Sequence, residues 1–99
     1  MKKNYFKTDV MFRKEKDGTI LAVFPYEIEG IKGECSCYAH VGQHMQMDWG
    51  YLSETKPVKD KSEYHNLCVE LESIGYDLNV IQRRNYDKYL KAYRAINKI

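Results

Sequence analysis

The chain has 99 residues, 43% hydrophobic and 30% charged, with a formal net charge of +2, which describes one soluble globular domain rather than a disordered or fibrous chain. A chain of this length buries roughly 65% of its unfolded surface, enough for a core without obligatory metals or disulfides. No run reaches the about 18 apolar residues that a membrane span needs.

In chain order, the basic start Met1-Lys2-Lys3 has no apolar stretch behind it, so it does not read as a secretion signal and the expected compartment is the cytoplasm. Residues 9–14 place Val10 and Phe12 on one face of a strand, Asp17-Gly18 supplies a turn, and residues 19–24 return as a second strand that Pro25 is expected to stop. Residues 27–33 read as a loop. Residues 34–41 alternate, with Cys35, Cys37, Ala39 and Val41 on one face and Ser36, Tyr38 and His40 on the other. The segment from Gln43 to Tyr51 is an irregular loop or a short fourth strand. Asp60-Lys61-Ser62-Glu63 resembles a capping box ahead of a helical stripe of Tyr64, Leu67, Cys68, Leu71 and Ile74, with Gly75 closing it. Tyr76, Leu78 and Val80 alternate as a strand. Asn85 then caps a terminal helix striped by Tyr86, Tyr89, Leu90, Tyr93 and Ile96 or Asn97.

The predicted order is β-β-β-(β)-α-β-α. It implies an α+β domain over residues 1–99, a mostly antiparallel sheet packed by one helix, with a core unit at 8–84 and an amphipathic helix at 85–99. Three cysteines, Cys35, Cys37 and Cys68, are an odd and unpatterned set and read as reduced thiols. Charge is unevenly distributed. Residues 1–16 carry six Lys/Arg against two acids, residues 82–99 six against one, and residues 27–77 four against ten. Basic ends either meet as one patch facing an anionic partner or neutralise the acidic middle.

Three blocks resemble small uncharacterised proteins of bacterial phages and other mobile elements. They are Phe12-Arg13-Lys14-x-Lys16-Asp17-Gly18-x-Ile20-x-Ala22-x-Phe24-Pro25, then Tyr38-x-His40-Val41-Gly42-Gln43-His44-x3-Asp48, then Glu63-Tyr64-x2-Leu67-x2-Glu70-Leu71-Glu72-x-Ile74-Gly75-Tyr76-x-Leu78. The resemblance spans about residues 10–84 and implies a cytoplasmic accessory protein, without implying an activity.

Polar and aromatic side chains are densest from Tyr38 to Trp49, where His40, Gln43, His44 and Asp48 surround Gly42. Buried polar groups need partners, so this cluster is either a binding site or a loop pinned by a His44–Asp48 hydrogen bond. Cys35, Cys37, His40 and His44 contain zinc-type donors, but the strand alternation separates thiols from His40 and no second ligand pair exists, so no metal or other cofactor is assigned. No nucleophile elbow, oxyanion loop or phosphate cradle accompanies the histidines, which argues against an enzyme. Binding is the expected function. A protein partner or a second copy fits the tyrosine-striped terminal helix. Nucleic acid is the alternative, with Tyr38, His40, Trp49 and Tyr51 as sheet-face aromatics and Arg13, Lys14, Arg83 and Arg84 as phosphate partners.

Overall fold

The computed structural model describes residues 7–29, 33–39 and 44–97. Strands β1 (Thr8–Lys14) and β2 (Ile20–Glu29) form the expected hairpin, with Met11 opposite Val23 and Lys14 opposite Ile20. Its turn needs Gly18, which sits at φ 92°, and Asp17 Oδ1 steadies it by accepting from the Thr19 N–H at 2.9 Å.

Pro25 does not end β2. The ladder to β3 (Glu34–Tyr38) pairs Phe24 with Ser36 and then Ile28 with Cys35, so Pro25, Tyr26 and Glu27 bulge out between them. A bulge leaves its residues out of the ladder, which is where a residue without an N–H is tolerated. Residues 27–29, expected in a loop, therefore continue the strand. β4 (His44–Met47) is the short fourth strand and pairs antiparallel with β3, Tyr38 opposite His44 and Cys35 opposite Met47.

A 3-10 helix (Trp49–Glu54) follows, then β5 (Lys56–Pro57), α1 (Lys61–Ser73), β6 (Leu78–Val80) and α2 (Tyr86–Asn97). The sheet runs β4-β3-β2-β1-β5. β6 lies parallel to the first half of β1, Thr8 opposite Leu78, while β5 pairs with the second half, Arg13 opposite Pro57. Two separate segments thus share the outer edge of β1. The fold is α+β in the expected order.

Strand alternation gives the sheet two buried faces. On one, Val10, Phe12, Ala22, Phe24 and Tyr38 meet Tyr64, Leu67 and Leu71 of α1. On the other, Met11, Leu21, Val23, Cys35, Cys37 and Met47 lie beneath Leu52 of the 3-10 helix and Tyr89, Ala92 and Tyr93 of α2. The terminal helix therefore packs Tyr89 and Tyr93 on its own sheet, and the domain has three layers.

Asp60 caps α1 by accepting from the Ser62 N–H at 3.0 Å. Glu63 does not complete the capping box and instead pairs with Lys14 Nζ at 2.7 Å. The helix ends in a Schellman pair, Gly75 N–H to Glu72 O at 3.1 Å and Tyr76 N–H to Leu71 O at 3.1 Å, with Gly75 at φ 114°. Ile74 falls at the cap and is exposed rather than in the stripe. Asn85 Oδ1 accepts from the Lys88 N–H at 3.1 Å and caps α2 as expected.

Candidate functional site

The sheet splits the cluster between Tyr38 and Trp49. Tyr38 and His44, as cross-strand partners, share the face covered by α1. The Tyr38 ring is buried at 1% exposure and its hydroxyl donates to Glu70, so it offers no surface for a base. His44 Nε2 is 2.9 Å from the Tyr76 hydroxyl. Asp48 lies four residues further along an extended chain, some ~13 Å away, and accepts instead from the Gly50 N–H at 2.9 Å, capping the 3-10 helix. The expected His44–Asp48 bond is therefore replaced by two unrelated contacts. His40 and Gln43 lie outside the described residues.

Trp49 belongs to the opposite face. Its indole N–H donates to Pro25 O in the bulge at 2.9 Å. The Tyr89 ring stacks on it at 4.1 Å and the Arg84 guanidinium lies over it at 4.2 Å. Two planar groups that close to one centroid occupy opposite faces of the ring, so Trp49 is sandwiched and cannot itself stack on a base. Its effect is to hold Arg84, whose guanidinium also donates to Trp49 O. More broadly, α1 lies over one face and the 3-10 helix with α2 over the other, so neither Tyr38 nor Trp49 is an open sheet-face aromatic.

The three arginines that the sequence offers as charge partners do come together. Arg13, Arg83 and Arg84 line a cavity of about 310 Å³ with Met11, Leu52, Ser53 and Gln82, in the gap between the 3-10 helix and the chain entering α2. Arg13 Nε donates to Thr55 Oγ1 at 2.8 Å, and its Nη2 donates to Leu52 O at 3.0 Å and Thr55 O at 2.8 Å. Burial, and then the nearby positive charge of Arg84, pull the Arg13 pKa below its ordinary value. The guanidinium stays charged at neutral pH nonetheless. Arg13 and Arg84 are thus satisfied by neutral carbonyl and hydroxyl oxygens. Among the described residues the ion pairs are Lys14–Glu63 and Lys88–Asp9, and none involves these arginines. Arg13 of the basic start thus lies beside Arg83 and Arg84 of the basic end, while Lys14 and Lys88 pair with carboxylates.

A second cavity, of about 470 Å³, is lined by Lys59, Lys61, Tyr64, His65, Cys68, Val80 and Gln82. Gln82 belongs to both cavities, so they adjoin across the outer edge of β1 where β5 gives way to β6. Among the described residues no carboxylate lines either cavity. Sequence reading missed Lys59, Lys61 and Gln82. The two lysines flank Asp60 inside the acidic middle, and a tally by segment hides them.

The rest of the candidate set lies elsewhere. Tyr51 donates to Glu15 Oε2 at 3.2 Å and lines a cavity with Glu15, Lys16, Asp17 and Glu54, where three carboxylates against one lysine disfavour phosphate. Cys35 and Cys37 are buried, and desolvation, then the neighbouring Cys37, pushes the Cys35 thiol up to about 12. His44 points to the other face from these thiols. No group of three His, Cys, Asp or Glu side chains among the described residues is placed to hold a metal ion. No described helix is long and apolar enough to cross a membrane. No protein-family model, curated protein or solved structure matches the chain.

Proposed function

We propose that the protein binds the phosphate backbone of a nucleic acid in the groove across the outer edge of β1. The observation that carries this reading is the composition of the two adjoining cavities. Arg13, Arg83 and Arg84 line one, Lys59 and Lys61 the other, and no described carboxylate lines either. Uncancelled cations in a concave surface concentrate field and attract a polyanion. Both cavities open to solvent rather than enclosing a closed pocket, which suits a strand better than a small substrate and favours binding over catalysis. A protein partner is less well supported, because the α2 stripe packs Tyr89 and Tyr93 against the chain's own core. On this reading the molecule is a cytoplasmic accessory protein of the phage or mobile-element kind that its sequence resembles.

Trp49 is the single tryptophan and touches Arg84 at the groove wall, so its fluorescence reports binding of a short mixed-sequence oligonucleotide. If about three to five phosphates are neutralised, raising salt from about 50 to about 200 mM weakens binding by roughly 20- to 130-fold. Arg83→Ala and Lys59→Ala, both at exposed side chains, should each weaken binding and lower the salt slope by about 0.7. A flat titration with unchanged electrophoretic mobility overturns the proposal and turns the search to protein partners, beginning with self-association.

A further inference from the structure

We infer that the nucleic acid is single-stranded and that Tyr86 stacks on one of its bases at the end of the groove. This rests on the groove reading above and adds a second, chemically different contact to it.

Tyr86 has the highest exposure, 59%, of the large hydrophobic side chains among the described residues. An aromatic ring left in water is costly unless something covers it. Its backbone is nevertheless firmly held. It is the first residue of α2, directly after Asn85, which caps the helix and whose own N–H donates to the Tyr26 hydroxyl at 2.6 Å. The ring is also braced from behind, 5.9 Å from Trp49 at 54° and 6.0 Å from Tyr89 at 27°. A fixed, exposed ring is a pre-organised stacking surface, since little rotamer freedom is lost when a base covers it.

Its position is what selects the ligand. Arg83 and Arg84, three and two residues earlier, line the arginine cavity, so phosphates held there bring the adjoining nucleotide to Tyr86. The sandwiched Trp49 cannot serve in its place. In a duplex each base face is covered by its neighbours, so a protruding ring finds an open π-face in an unpaired strand. Stacking is indifferent to base identity, which predicts weak sequence preference.

The test compares three probes of equal length: a mixed-sequence single strand, a strand of abasic sites with the same phosphates, and a duplex. Each is titrated against the wild-type chain, Tyr86→Ala and Tyr86→Phe. Tyr86→Ala is expected to weaken the base-bearing strand by about 5- to 100-fold, to leave the abasic strand unchanged, and to keep the salt slope. Tyr86→Phe, which retains the ring, should bind like wild type. Tyr86 is exposed, and the Phe variant and unaltered abasic binding control for loss of fold. If Tyr86→Ala affects both single strands equally or neither, or if the duplex binds as tightly as the single strand, the stacking inference fails while the groove reading survives. If no probe binds, the groove reading itself falls and the inference falls with it.

Discussion

The two faces of the sheet are built differently. Beneath α1 the core is aliphatic and aromatic, with Phe12 and Tyr64 stacked at 4.1 Å and only 2° from parallel, and with Leu67 and Leu71 almost fully buried. Beneath α2 it is softer, made of Met11, Met47, Cys35 and Cys37 under the rings of Trp49, Tyr89 and Tyr93. Polar groups are also treated differently. On the first face Tyr38 meets Glu70, and Lys14 at its margin meets Glu63, so charge and hydrogen bonding are settled together. On the second, Arg13 and Arg84 donate to backbone carbonyls, which satisfies their N–H groups and leaves their charge uncancelled. Hydrogen-bond satisfaction is not charge neutralisation. The arginine cavity opens on this second face, between the 3-10 helix and the chain entering α2, while the lysine cavity opens beside α1.

Removing a large side chain from each face gives the strongest test of this contrast. Leu71 is 0% exposed between α1 and the sheet, and Leu71→Ala should lower stability by about 3–4 kcal/mol in urea denaturation. Met47 is 8% exposed at the edge of the other face, where unbranched neighbours can close the space, so Met47→Ala should cost about 2 kcal/mol or less. Equal costs would show that the second face is packed as rigidly as the first.

Much of this fold was legible in the sequence. Alternation in residues 9–14, Asp17-Gly18, the Asp60 cap and Gly75 each act through their immediate neighbours, and each appears where expected. The misplaced features depend on partners distant in the chain. Pro25 interrupts β2 only if no bulge absorbs it, and that bulge is braced by Trp49 and by the start of α2. Tyr38 reads as an exposed sheet aromatic until α1 covers it. The site was half visible. Arg13, Arg83 and Arg84 stood out as charged ends, while Lys59 and Lys61 join them only because β5 and β6 share one edge of β1. Tyr86 and Tyr89 are alike in the helical stripe, and only the packing of α2 on the sheet leaves Tyr89 half-buried and Tyr86 exposed.

Alkaline pH probes the softer face through its thiols. An unfolded cysteine ionises near about 8.5, whereas burial holds the Cys35 thiol up to about 12. Between these values the unfolded state binds fewer protons than the folded one. The stabilisation is therefore complete below about pH 8.5 and declines as pH rises, by about 1.4 kcal/mol per unit at most. Urea midpoints measured at about pH 8 and about pH 10 should fall for the wild-type chain and fall less for Cys35→Ala. Parallel declines would assign the loss to other groups whose pKa is also raised, among them Cys37 and Cys68.

The smallest effect concerns the pair at the margin of the first face. Lys14 Nζ and Glu63 Oε1 are 2.7 Å apart, but their side chains are 40% and 41% exposed. Solvent screens such a pair, and ordering two long side chains offsets most of the attraction, so Lys14→Ala should change stability by less than about 0.5 kcal/mol. Its value lies in the binding assay. Lys14 and Arg83 carry the same charge, and Lys14 is already matched by a carboxylate whereas Arg83 has no such partner among the described residues. Lys14→Ala should therefore leave oligonucleotide affinity within about twofold of wild type, at a salt concentration where Arg83→Ala weakens it clearly. Equal losses from the two substitutions would mean that total positive charge governs binding, and that the uncancelled charge of the second face confers no special role on the groove.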